Sequence, residues 1–196
     1  DALPILFNCA TAGEVVLLGS ANKHFCSGQD LNEHNTVKSR AQVAADLRRG
    51  AAAIIAALRC KAPIVVAVHG AAIGAGALLA CSADVLIAAE DAWLSLPELK
   101  VGVTVGGAVA ERSLGGPLSR RMLLTGERIT AAQLSGVGAA RVVTRDELED
   151  TALVAAQAIV ALNSALVDLA RSTWGAGERE AVARSYENEI EGFLKH

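Results

Sequence analysis

Two glycine-bearing segments and a few carboxylates are where this sequence could do chemistry. "HGAAIGAGALLACSAD" (69–84) follows the strand-like "PIVVAV" and carries Gly70, Gly74 and Gly76, with no acid or cation before Asp84. A second glycine loop, "FCSGQDLN" (25–32), lies beyond the apolar run "EVVLLG" (14–19). Gly70 and Gly74 allow a sharp turn and close approach of another molecule to the backbone. If "AGALLACSA" continues as a helix, its first N–H groups have no partners and, with the helix dipole, form an anion site. No Lys or Thr stands beside these glycines, so a phosphate dianion fits poorly. A developing oxyanion in a dry pocket fits better, where a preorganised donor can contribute about 10²–10³ in rate. The first loop would offer a partner N–H near Gln29.

Two other readings of 69–84 fare worse. Gly74-Ala75-Gly76 suggests a dinucleotide loop, but the fingerprint places its third Gly or Ala where this chain has Leu79. Its glycines also fall too far past the strand, although Glu90 does end the next one, the place of a ribose-binding acid. Ile64–Ala83 is uncharged and contains Gly70-x-x-x-Gly74, the spacing of a membrane helix dimer. The β-branched opening "IVVAV" and the break at His69-Gly70 favour a strand, a turn and a buried helix instead.

The elements that must position these residues follow from composition and pattern. With 196 residues, 52% hydrophobic but only 3% aromatic, the chain builds its core from Ala, Val, Leu and Ile. A net charge of -3 without a basic stripe argues against a nucleic-acid partner. Lys38, Arg40, Arg48 and Arg49 read as a solvated helix face. Cys9, Cys26, Cys60 and Cys81 lack C-x-x-C or metal-ligand spacing and read as reduced, in a cytoplasmic setting. No signal peptide is expected in residues 1–13, and neither a metal nor a membrane is called for. Strands are expected at 14–19, 64–68, 85–89, 93–96 and 140–144. Helices are expected at 39–58 with Ser39 as N-cap, 106–116, 118–126 and 130–138 with Thr130 as N-cap. From Asp146 the chain reads as helical, broken near Asn163-Ser164 and at Gly175-Ala176-Gly177. This alternation predicts an α/β core (1–145) with a sheet covered on both faces, followed by a helical C-terminal region (146–196).

"FCSGQDLNE" (25–33), "APIVVAVHGAAIGAGALLACSADVLIAAEDAWLSLPELKVGV" (62–103) and "LLTGERITAAQLSGVGAARVV" (123–143) together resemble the crotonase (enoyl-CoA hydratase/isomerase) superfamily. The motifs stand in the family's order and cover about residues 14–145; "EGFL" (191–194) is a fainter echo. The resemblance implies a ββα spiral of two near-perpendicular sheets surrounded by helices, with a C-terminal trimerisation region. It implies homotrimers or dimers of trimers, acyl-CoA thioester substrates and no separate cofactor. In such enzymes two backbone N–H groups polarise the thioester carbonyl and stabilise the enolate; the matching positions are Gln29 and Ala75. Neither role uses a side chain, so alanine at 75 in place of the usual glycine is compatible with it. Cys26, Ser27, Asp30 and Leu31 would lie near the CoA, with Gly74 and Leu78 at the substrate. By the same comparison the chain is short of a first strand pair and helix and of a basic tail.

The acids separate the possible reactions. Hydratases of this family carry two glutamates, and here Leu78 stands at the first position while Glu98, in "SLPELKVG", matches the second. Hydration is helped by one group that activates water and another that handles the second proton. One carboxylate suffices to move a proton from C2 to C4 of a 3-enoyl thioester, and an apolar pocket would raise its pKa to suit. Asp84, Glu90 and Asp91 read as structural or solvated. The first loop resembles that of ring-opening isomerases of aromatic catabolism, and the lone glutamate resembles Δ3–Δ2 enoyl-CoA isomerases. "PELKVGVTVGGAV" also resembles carboxymethylproline synthases, which decarboxylate malonyl-CoA and form a C–C bond. Isomerisation by Glu98 is the favoured reading, with that chemistry, or a non-catalytic acyl-CoA-binding scaffold, as alternatives. His69 is expected to satisfy backbone groups behind the loop, and His24 and His34 to be surface residues. Arg59 and Lys61 read as solvated, Phe25 and Trp93 as core or pocket wall, and Met122 as core.

Overall fold

In a computed structural model, residues 11, 13–28 and 40–195 are described. Ile64–Val68 (β2) has the β-branched, uncharged sequence of a strand covered on both faces, and all of it is buried. It lies in a four-stranded parallel sheet of order β1-β2-β4-β7, with β1 Val16–Leu18, β4 Val85–Ala89 and β7 Arg141–Val143. Successive side chains of β2 serve opposite faces, as the period of a strand demands. Val65 and Ala67 join Ile87 and Ala89 beneath Leu148, Ala152 and Ala156 of α5 (Leu148–Val160). Ile64, Val66 and Val68 enter the larger core on the other side.

A second sheet has the order β3-β5-β6, from Ala71–Ile73, Trp93–Ser95 and Ile129–Thr130. The chain passes from β2 to β3 and then into α2 (Ala75–Cys81). From β4 it passes to β5, a 3₁₀ turn at Glu98–Val101 and α3 (Gly107–Thr125). This is the expected ββα repetition, with helices around both sheets. The remaining helices are α1 (Arg40–Arg59), α4 (Ala131–Gly136), α6 (Ser164–Ala170) and α7 (Ala176–Lys195). Among the described residues no single helix is long and apolar enough to cross a membrane.

Several boundaries have a clear cause. Thr130 opens α4 through a capping box: the Gln133 N–H donates to its hydroxyl, and its own N–H donates to the Gln133 side chain. Gly115, at φ 69°, breaks α3 just before Pro117, where the sequence predicts a stop. α5 stops at Val160, and Asn163 caps the next helix by accepting the Leu166 N–H at 3.3 Å, with the two helical stretches bent by 99° at this break. The second expected break is absent. Residues Arg171–Gly175 form a π-helical turn that leads straight into α7, and Gly175 is buried within it. Ser39 lies outside the described residues, as do Cys9, His34 and Lys38.

The C-terminal helix packs on the core: Ala183, Tyr186 and Ile190 share one cluster with Leu78, Val105 and Val109. Ion pairs fasten it at its edge. Arg59 is not free in solvent but bridges Glu180 and Glu187 of α7, at 2.9 and 2.8 Å. Asp84 accepts the Ile64 N–H at 2.8 Å and pairs with Arg171 and Arg112, tying the start of β2 to the C-terminal region.

Candidate active site

The two glycine loops meet at β3. Residues 71–73, read from the sequence as part of a turn, are extended between Gly70 (φ 56°) and Gly74 (φ 58°). The Phe25 and Cys26 N–H groups donate to the His69 and Ala71 carbonyls, and the Ile73 N–H donates back to Cys26 O at 2.9 Å. The first loop is therefore held as a parallel extension of the second sheet. His69 is buried with Nε2 2.8 Å from Asn22 O, the supporting role expected of it. His24 is exposed, yet its Nδ1 accepts the Ala71 N–H at 3.2 Å.

The approach of the loops leaves no room for side chains at two positions. A Cβ at Gly76 would collide with the Cys26 carbonyl. One at Gly28 would lie 2.8 Å from Ile73 O and 3.8 Å from the Ala75 nitrogen. The backbone just before Gln29 thus reaches the start of α2. Gln29, Asp30 and Leu31 themselves lie outside the described residues. Cys26 is half-buried and Ser27 exposed beside this junction.

At the start of α2, Gly74 is the N-cap and its N–H is used by Ser95 O at 3.0 Å. The Ala75 N–H comes next; as the first helical residue it has no acceptor within the helix. Ala75 is also the one residue of α2 that is not fully buried. A donor with that geometry is free to meet an oxygen arriving from outside.

Glu98 approaches the same turn from the other side. It begins the 3₁₀ turn after Pro97. A Cβ on Gly74 would stand only 2.8 Å from its Oε1, so the carboxylate rests on the glycine next to the exposed donor. Its Oε2 is buried without a hydrogen-bond partner. Burial pushes the Glu98 carboxyl up to about 7, opposed in part by its own backbone N–H. Leu78, one turn along α2, is 2% exposed, with its methyl groups against Gly106. The structure therefore brings Gly74, Ala75 and Glu98 together, with Leu78 packed just behind them. Among the described residues no cluster of metal-ligating side chains is present. A surface cleft of about 440 Å³ lined by Glu90, Arg141, Thr144 and Glu147 shares no residue with this site.

The raised carboxyl gives a stability prediction with a definite sign. Between pH 4.5, the ordinary value, and about 7, the folded chain binds the Glu98 proton and the unfolded chain does not. Its contribution to stability therefore falls as pH rises through this window. Glu98→Gln removes the effect, so the variant should gain about 2 kcal/mol over wild type at pH 8, discounted for partial exposure, and almost nothing at pH 4.5. Urea unfolding at the two pH values checks this; a pH-independent difference would contradict the burial argument.

Comparison with known proteins shows the family to which this fold belongs. Residues 2–195 match the enoyl-CoA hydratase/isomerase family. The chain is 32% identical over 174 residues to a (7aS)-7a-methyl-1,5-dioxo-2,3,5,6,7,7a-hexahydro-1H-indene-carboxyl-CoA hydrolase of Rhodococcus jostii, covering 88% of this chain and 67% of that protein. It is 28% identical over 161 residues to the peroxisomal Delta(3,5)-Delta(2,4)-dienoyl-CoA isomerase of Arabidopsis thaliana, covering 74% of this chain and 58% of that protein. The crystal structure of an enoyl-CoA hydratase/isomerase from Xanthobacter autotrophicus superposes with a TM-score of 0.84 at 28% identity, over 100% of this chain and 73% of that one. The protein belongs to the enoyl-CoA hydratase/isomerase family, the crotonase superfamily, whose members act on CoA thioesters.

Proposed function

We propose that this chain moves the double bond of a 3-enoyl-CoA thioester into conjugation, with Glu98 as the single proton carrier. One observation carries the reading: among the described residues a single buried carboxylate, Glu98, lies against the turn that presents the Ala75 N–H, and the next helical turn offers Leu78 in place of a second acid. The thioester oxygen would accept the N–H groups of Ala75 and Gln29. Glu98 takes the C2 proton, and the electrons of that C–H bond flow into the carbonyl to give the dienolate. The carboxyl then returns a proton at C4, and the double bond moves to C2–C3. A carboxyl held near 7 is well matched to both halves of this exchange. Cys26 and Ser27, with Asp30 and Leu31, would line the path of the CoA.

The appearance of the conjugated 2-enoyl thioester by ultraviolet absorbance tests the reading. A folded protein that binds CoA thioesters but never produces it would refute it. A second reading draws on the Rhodococcus relative, named a hydrolase of a CoA ester. The same two donors could hold the enolate released when water cleaves a C–C bond β to the thioester. Uptake of one water by a cyclic β-keto substrate would favour this alternative.

The proposal extends to assembly as a homotrimer or a pair of trimers. Its support is an apolar face left bare on α6 and the π turn: Leu166 and Leu169 are more than half exposed and Trp174 is 89% exposed. Light scattering should give a multiple of three chains, and Trp174→Glu should lower it. A wild-type monomer at micromolar concentration would count against the assembly.

A further inference from the structure

Glu189 is a half-buried acid that the proposed chemistry does not use. It sits on α7, and its two carboxylate oxygens accept three consecutive N–H groups at the start of α3. Gly106 and Gly107 donate to Oε2 at 2.6 and 3.1 Å, and Ala108 donates to Oε1 at 2.8 Å. The orphan donors of that helix are thus satisfied from a distant part of the chain. Gly106 has φ 108° and no side-chain cap of its own, so the distant acid takes that role.

The clamped backbone leads to the site along two routes. Gly106 packs on Leu78, where a Cβ would come within 3.1 Å of a methyl group, and the Leu78 N–H donates to Gly74 O at 3.0 Å. Along the chain, residues 98–106 join the Glu98 turn to the clamp, and the Val103 N–H donates to Glu98 O at 2.9 Å. Glu189 therefore fixes one end of a short segment that begins at the proton carrier. Tyr186, one helical turn earlier and buried, lies on the same side. Burial, then the charges of Glu189 and Glu98, hold its phenol above the usual range.

We infer that Glu189 is a positioning residue: its clamp on Gly106–Ala108 sets the placement of Glu98 against Gly74, and so makes turnover depend on how the C-terminal helix is seated. This rests on the function proposed above for its kinetic part only. A misplacement of about 1 Å can cost about 10² in rate.

The test compares Glu189→Gln and Glu189→Ala with Asn188→Ala, a control at an exposed neighbouring position of the same helix. Hydrogen exchange followed by mass spectrometry should show faster exchange confined to residues 98–108 in the Glu189 variants and not in the control. With 3-enoyl-CoA, kcat should fall about 10–100-fold while KM stays within about threefold. Unchanged exchange at 98–108 would overturn the proposal. So would acceleration spread over the whole protein, which would mark a purely structural acid. A kcat loss equal to that of Asn188→Ala would overturn it as well. If wild type fails to convert 3-enoyl-CoA, the functional reading falls, and the exchange pattern still decides the clamp.

Discussion

Proline at position 75 should lower kcat about 10²–10³-fold and leave the fold standing. The substitution replaces the hydrogen of the backbone N–H that would face the thioester oxygen in the proposed reaction with a ring methylene that cannot donate. Ala75 is the first residue of α2, where proline is well tolerated because its missing N–H has no acceptor in the helix. The bond that seats the turn, from Gly74 N–H to Ser95 O, belongs to the preceding residue and survives. Ala75→Gly is the matched control, since it keeps the donor and deletes only the methyl group. Steady-state kinetics and a thermal melt check the pair together. Near wild-type turnover in the proline variant would show that this N–H does not serve the reaction.

Glu98→Gln should have an effect at least as large, about 10²–10⁴-fold on kcat, with CoA thioester binding retained. Glutamine has nearly the same shape and can still rest on Gly74, but it cannot carry a proton. The pH profile adds a sharper signature. In the proposed reaction, removal of the C2 proton requires the ionised carboxylate, and burial pushes the Glu98 carboxyl up to about 7. Wild-type kcat/KM should therefore rise as pH passes through about 7 and then level off, while the residual rate of the variant should lack that limb. A variant that binds and turns over normally would remove Glu98 from the mechanism.

Much of this could be read from residues alone, and the failures share a physical cause. Ile64–Val68 and Val85–Ala89 are legible because an uncharged β-branched run has few other uses. Glu98 stands out because it follows Pro97 in a recognisable motif, and Asn163 because its side chain caps the next helix. Ala71–Ile73 is not legible: three apolar residues between glycines are too short a run to show a period, and their strand exists only through Cys26 on one side and Trp93–Ser95 on the other. Gly175-Ala176-Gly177 misleads because glycine weakens a helix locally, whereas here Gly175 is buried and the turn is held by packing. Arg59 looks solvated until the acids of α7 are brought beside it. Glu189 hides for the same reason. One acid on a charged helix reads as a solvated face, and its partners are 81–83 residues away.

The most direct measurement is liquid chromatography with ultraviolet and mass detection of the products formed by the wild-type protein from 3-enoyl-CoA and, separately, from malonyl-CoA, since the two enoyl isomers share one mass and differ in absorbance. Proton transfer by a single carboxylate predicts a 2-enoyl-CoA of unchanged mass from the first and no loss of CO₂ from the second. Untouched 3-enoyl-CoA alongside decarboxylated malonyl-CoA, or a product heavier by one water, would contradict it.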